Sequence, residues 1–208
     1  MPIEPTTKMA IAFFDGQNLF RAAKEAFGYT YPNYDPIALA NQICTDKKWQ
    51  LKQTRFYTGV PDKTDSARWN HFWTAKLGAL GHRGAVVYSR PLRYRNKTIK
   101  LAGGVEVTTL VGEEKGIDVR IALDVIRLAH RSEFDVALIF SQDQDLSEVA
   151  DEIRVISKEQ TRWIKVASAF PDSPTCRNRR GINGTDWVHI NRATYDAHID
   201  PKDYRPKP

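Results

Sequence analysis

The chain has 208 residues, 41% hydrophobic and 11% aromatic, which is enough to bury a sizeable core and too apolar for a disordered polymer. Its 31 Lys and Arg exceed its 25 Asp and Glu, for a formal net charge of +6 that favours a polyanionic partner. Cys44 and Cys176 lie far apart with no CxxC or Cys/His ligand spacing, and there is neither a leader-like apolar segment nor a run long enough to span a bilayer. These features exclude a disulfide scaffold and a membrane span, and they place the expected compartment in a reducing cytoplasm.

Taken in chain order, MAIAFFD (9–15) reads as a buried strand, followed by LFRAAKEAF with helical spacing. QTRFYTGV (53–60) reads as a second strand and ARWNHFWTAKLGALG (67–81) as a helix with a C-terminal glycine signal. GAVVYSRPLRYR (84–95) reads as a third strand running into a basic segment. GIDVRIALDVIRLAHR (116–131) is the most apolar helix, FDVALIF (134–140) the most apolar strand, and RWIKVASAF (162–170) a further strand. Continuous apolar strands alternating with helices predict a three-layer α/β/α domain around a central, mainly parallel sheet. One domain is expected over 1–208, with surface or mobile ends at 1–8 and 201–208 and a long loop at 171–186. Trp69 and Trp73, four residues apart on a helix, read as core residues.

In open parallel sheets ligands sit outside the carboxyl ends of the strands, which gives weight to acids found there. Asp15 closes the first strand, and Asp143 follows the strand 134–140. On the helix 116–131, Arg120, Asp124, Arg127 and Arg131 mark a solvated face, whereas Asp118 aligns with Ala122, Val125 and Ala129 on an inward stripe. The first turn of that stripe points Asp118 toward the same edge, where the helix dipole tolerates negative charge. Carboxylates about 4 Å apart repel by on the order of 4 kcal/mol per pair at an effective dielectric of about 20. A shared proton, a lysine such as Lys115, or a bound cation must offset this. An all-oxygen site suits Mg²⁺ or Mn²⁺ better than zinc, and such a cation suits phosphodiester hydrolysis.

Local roles compete with this reading. Asp145 and Glu148 have capping-box spacing before Leu146, Val149, Ala150 and Ile153, so Asp145 is the expected N-cap. Asp15-Gly16 is a turn dipeptide, Asn18 is a candidate cap, and Glu113 and Glu114 form an acidic flank from which one carboxylate can reach the site.

FFDGQNLF, EEKGIDVRIALDV and IFSQDQDLSEV together resemble the NYN domains, PIN-like metal-dependent ribonucleases, over most of residues 9–170. The resemblance implies metal-site acids at Asp15, Asp118, Asp143 and Asp145, with Asn18 orienting the site or substrate, and it implies RNA rather than DNA as partner. Where the family often has glycine, Gln142 and Gln144 stand, and their bulk is expected to narrow the site. A catalytically degenerate RNA-binding module is therefore the alternative expectation. Phosphate contacts are expected from Arg90, Arg93, Arg95, Lys97 and Lys100, with Tyr94 stacking on a base, and from Arg177, Arg179 and Arg180 beside Gly181 and Gly184. Phosphotransfer through a phospho-aspartate is disfavoured, because Gln17 occupies the position where a second acid is needed.

Overall fold

A computed structural model describes residues 2–100 and 106–206, with the side chains of residues 99 and 100 outside the description. The elements are β1 (Lys8–Asp15), α1 (Gly16–Phe27), α2 (Pro36–Asp46), β2 (Trp49–Val60), α3 (Ala67–His82), β3 (Val86–Pro91), β4 (Arg93–Lys100), β5 (Glu106–Glu113), α4 (Ile117–His130), β6 (Val136–Phe140), α5 (Ser147–Glu159), β7 (Lys165–Pro171), β8 (Asp186–Ile190) and α6 (Arg192–Asp196). A six-stranded, all-parallel sheet has the order β3-β2-β1-β6-β7-β8, and β4 and β5 form a separate antiparallel ribbon. The chain fills one half of the sheet from β1 outward and then crosses to fill the other half from β6. The switch between halves lies between β1 and β6, the place where open α/β sheets leave a crevice at their carboxyl edge.

Alternation along β1 divides the core. Ala10, Ala12 and Phe14 pack toward the α1, α2 and α3 layer, and Phe14 stacks on Phe140 of β6 with ring centroids 3.8 Å apart. Ile11 and Phe13 pack on the other face against Ile117, Ile121, Val125 and Ile153 of α4 and α5. Because side chains alternate with a period of two, Asp15 belongs to the same parity as Ile11 and Phe13. The end of β1 therefore directs Asp15 toward the first turn of α4. No helix among the described residues is long and apolar enough to cross a membrane.

Several details depart from the sequence expectations. The run 84–95 is two elements: β3 completes the sheet edge and ends at Pro91, after which Arg93–Lys100 pairs with Glu106–Glu113 instead. The polar segment after Pro91 has no continuous apolar run to bury in a sheet, so it leaves the core. Helix α2, starting from an Asp35 cap with proline at its first position, and the short edge strand β8 are additions to the expected set. Toward the C-terminus, Asp200 and Tyr204 are buried, Ile199 bridges to Tyr34, and Arg205 lies over the Tyr31 ring, so residues 199–205 are fastened to the body. The anchor is Lys76, fully buried, which donates to the Tyr34 carbonyl at 2.7 Å and pairs with Asp200 at 3.4 Å. Residues 1, 207 and 208 of the expected mobile ends lie outside the described residues.

The largest correction concerns Asp124, which is not on a solvated face. It is 2% exposed, while Val119 and Leu123 of the same helix are 57% and 59% exposed. Its carboxylate accepts from the Tyr57 hydroxyl at 2.9 Å and from the Arg55, Arg120 and Arg127 guanidiniums. Burial alone pushes the Asp124 carboxyl up, but the Tyr57 hydroxyl and Arg55 overrule it and hold the group below the ordinary carboxylate range. Removing the acid strands Arg55 in the interior, and breaking a buried pair in this way costs about 3–5 kcal/mol. Asp124→Ala is expected to lower stability by about 3 kcal/mol in urea denaturation at neutral pH with an unchanged slope. A loss below about 1 kcal/mol would contradict the assigned burial.

Candidate metal centre

At the carboxyl edge of the sheet, β1 and β6 end side by side, with Phe14 in register with Phe140. Asp15 is therefore set next to Ser141, and the two are joined by a hydrogen bond from the Ser141 hydroxyl to Asp15 Oδ2 at 3.4 Å. Ser141 Oγ also accepts from the Asp143 amide at 3.1 Å, and Asp143 Oδ1 accepts from the Asp145 amide at 3.1 Å. Asp143, not Asp145, is thus the cap, and it caps a single 3-10 turn, Gln144–Leu146, that leads into α5. On the β1 side Asp15 Oδ1 accepts from the Asn18 amide at 3.0 Å and caps α1, so the cap is Asp15 and not Asn18. Asn18 is freed to reach across the switch point, where its Oδ1 accepts from the Gln142 amide at 2.9 Å.

These elements enclose a cavity of about 460 Å³ whose lining includes Asp15, Asn18, Arg21, Lys97, Glu114, Asp118, Asp143 and Asp145. The four predicted acids and Asn18 all reach it. Lys115 is exposed and is not among the lining residues. Both acids of the flank line the cavity: Glu113 pairs with Arg95 at 2.6 Å, and Glu114 accepts from the Gly59 amide. That contact depends on the absence of a side chain at Gly59, since a Cβ there would lie 2.7 Å from Glu114 Oε2. Gly116 takes a left-handed conformation, φ +74°, at the cap position of α4 and lets the chain turn from Glu114 to Asp118.

Burial pushes Asp15 up to about 6; Asp143 adds to the rise, and the Asn18 amide, Ser141 and Arg21 oppose it. Burial, followed by the charge of Asp15, pushes Glu114 up to about 7 against the pull of the Gly59 amide and Arg21. Arg21 was not singled out in the sequence. Its signal is its position one helical turn beyond Asn18 on the face that meets the cavity.

The donor set is oxygen only, which suits a hard divalent cation. Among the described residues no three potential ligands are gathered closely enough to form a cage on their own. That arrangement fits Mg²⁺ or Mn²⁺ held by one or two carboxylates with water and phosphate oxygens completing the shell, the usual mode for a cation reluctant to dehydrate. The negative charge clustered around the cavity is what such an ion would neutralise.

The expected basic contacts separate into two sets. Lys97 lines the cavity and Tyr94 lines a second pocket beside it. Arg95 is paired with Glu113, and Arg90 donates to the Tyr88 hydroxyl at 2.6 Å. Arg93 is exposed on the ribbon, and the side chain of Lys100 lies outside the described residues. Arg179 makes a two-pronged contact to Asp172 at 2.8 Å each, and Arg177 and Arg180 are exposed; none of the three lines the cavity.

Gln142 and Gln144 do not narrow the site. The Gln142 side-chain amide donates to the carbonyls of Asn178 and Arg180, and that of Gln144 donates to Gly181 while its Oε1 accepts from the Asn183 amide. Both glutamines pin the 172–185 loop to the sheet edge and leave the acids unobstructed.

A profile of the NYN domain family matches residues 9–173. No curated protein matches the sequence. Among solved structures the chain is similar to a Vibrio parahaemolyticus protein of unknown function, at TM-score 0.54 and 19% identity, covering 89% of this chain and 94% of that one. The likeness is one of fold. A weaker likeness to MurG of Acinetobacter baumannii, TM-score 0.33 and 10% identity over 88% of this chain and 45% of that one, carries no weight.

Asp15 and Glu114 bind protons more tightly folded than unfolded, so their contribution to stability is full below about pH 4 and is lost as pH rises through 6 to 7. In chelator, acidification from about pH 8 to about 5.5 should raise the melting temperature by a few degrees, and Asp15→Asn, which keeps the cap, should raise it at pH 8. Saturating Mg²⁺ should flatten the pH dependence, because cation and proton compete for the same oxygens. A melting temperature that falls over this window in chelator, with no gain from Asp15→Asn, would refute the assigned electrostatics.

Proposed function

The chain belongs to the NYN domain family, with its PIN-like nuclease fold, and we propose that it is a metal-dependent endoribonuclease that hydrolyses RNA phosphodiester bonds at this carboxyl-edge cavity. The observation that carries the reading is the convergence of Asp15, Glu114, Asp118, Asp143 and Asp145 on one crevice, with the proton affinity of Asp15 and Glu114 raised by burial and then by neighbouring carboxylates. Asp15, Asp118, Asp143 and Asp145 are the carboxylates from which one or two would hold Mg²⁺ or Mn²⁺ directly and the others through its water shell, and the ion would supply Lewis acidity toward a phosphate oxygen and toward water.

The remaining roles fall to the chain itself. Asn18 ties the end of β1 to the backbone after β6 and keeps Asp15 and Asp143 in a fixed relation. Arg21 and Lys97, at the wall of the cavity, offer positive charge to the phosphate oxygens. As water adds to phosphorus and an ester oxygen departs, Glu114 is suited to take the proton that the water sheds, because its affinity for a proton is poised near neutral pH. The departing oxygen is protonated from solvent. A non-catalytic RNA-binding module loses its main support, since Gln142 and Gln144 face the loop and not the acids.

Asp143→Asn is expected to cut Mn²⁺- or Mg²⁺-dependent cleavage of labelled single-stranded RNA by at least about 10²-fold, with RNA binding kept or tightened. Full activity in that variant would sink the proposal; binding without cleavage in the parent protein under either ion would favour the non-catalytic module. Lys97→Ala should weaken RNA binding across sequences and lower the slope of log K against log salt by about 1, whereas Arg179→Ala, already committed to Asp172, should leave the slope unchanged.

A further inference from the structure

Beside the acidic cavity lies a second pocket of about 310 Å³, at the small end of the range for ligand sites and of opposite character. Trp69, Trp73, Phe20 and Leu92 make it apolar, and Tyr94 and Asp65 stand at its edge. The two cavities share Gln17 and Gly112 as common wall. Because one wall serves both, a ligand seated in the acidic cavity has the aromatic pocket as its immediate neighbour.

We propose that this pocket receives an unpaired nucleobase of the nucleotide next to the scissile phosphate, so that the substrate is RNA that is single-stranded at the cleavage step. The inference rests on the nuclease reading for the identity of the polymer, and on the pocket's own geometry for the base. Trp69 and Trp73 are four residues apart on α3 and present their rings to one side. Trp69 is held edge-on by Phe72, with centroids 5.4 Å apart, and remains partly exposed at the pocket. Opposite, Tyr94 of β4 is in register with Gly112 of β5, and its ring lies so close that a Cβ at position 112 would sit 2.9 Å from Cε1. The glycine thus lets the phenol ring lie against the ribbon and form a wall. Burial, and then the nearby charge of Asp65, raises the Tyr94 phenol above its ordinary range.

Apolar ring faces, one carboxylate at the rim and the Gln17 amide between the cavities match the chemistry of a nucleobase, which stacks through its faces and hydrogen-bonds through its edge. The amide of Gln17 is itself positioned by a 3.4 Å contact to the Gly59 carbonyl, on the residue whose amide holds Glu114. A paired base cannot enter such a pocket without being extruded from its stack, at a cost of a few kcal/mol, and this favours single strands and loops over duplex.

The test places 2-aminopurine at each position of a short single-stranded RNA in turn and measures its fluorescence on binding to the full chain in chelator, with cleavage followed separately in Mn²⁺. Strong quenching confined to one position is expected, together with about tenfold weaker binding of RNA made abasic at that position. Trp69→Ala and Tyr94→Ala should each weaken binding about tenfold, the size of one lost stacking contact, and Trp69→Phe should recover most of it. Tyr94 lies on the ribbon outside the main sheet, so its variant answers the question even if Trp69→Ala unfolds. Uniform weak quenching with abasic and intact RNA bound equally, or duplex RNA bound as tightly as single strands, would overturn the pocket whether or not the protein cleaves. Position-specific quenching without cleavage would uphold the pocket and count against the nuclease.

Discussion

The constraint on which the rest of the site depends is the removal of the Asp15 carboxylate from water at the end of β1, where it is 5% exposed. An ionised carboxylate in that position is costly unless several donors face it. The local chain supplies the Asn18 amide, the Ser141 hydroxyl and the nearby charge of Arg21, each from a different consequence of one topology. The amide comes from starting α1 immediately after β1, the hydroxyl from seating β6 beside β1, and the arginine from the next turn of α1. The compensation is incomplete, which is the reason Asp15 and Glu114 keep their protons more tightly than free acids do. A centre of this kind trades stability for a field that favours a bound cation.

Around that centre the polar residues divide the work. Gln142 and Gln144 interleave with Asp143 and Asp145 in sequence, yet the glutamines turn outward to the 172–185 loop while the acids turn inward to the cavity. The alternation arises because Asp143 caps the 3-10 turn with its own side chain, and this fixes the backbone so that neighbours point to opposite sides. The loop beyond β7 is thereby fastened to the site without occupying it.

How much of this could be read from the sequence follows from the range of each interaction. β1, β6 and β7 were legible because a strand buried on both faces must be largely apolar, β2 was legible from its aromatic and β-branched residues in spite of Arg55 and its threonines, and Asp15, Asp118 and Asp143 were legible because each follows a strand or opens a helix. Asp124 was not. Between Arg120 and Arg127 it looks like a member of a surface charge row, and its burial is decided by Arg55 and Tyr57, which lie 69 and 67 residues away in the chain. The order of the caps was also hidden, since the spacing around Asp143 and Asp145 permits either to cap and only the backbone angle after β6 selects the first. Asp200 and Tyr204 sit in a segment rich in proline and charge, and nothing local reveals that a buried Lys76 requires a partner there.

Gly59 and Gly112 hold a further consequence, which concerns the order in which this surface can change. A side chain at 59 would collide with Leu92 and Glu114, and one at 112 with Tyr94 and Leu92. Each glycine is therefore a vacancy shaped by a particular larger neighbour, and Leu92 is common to both. Trimming Tyr94 and Leu92 clears the space at 112, whereas at 59 Glu114 still stands in the way once Leu92 is trimmed. Leu92 lines the aromatic pocket and also lies against the glycine whose amide holds Glu114, so a change at this one leucine is felt on both sides of the common wall.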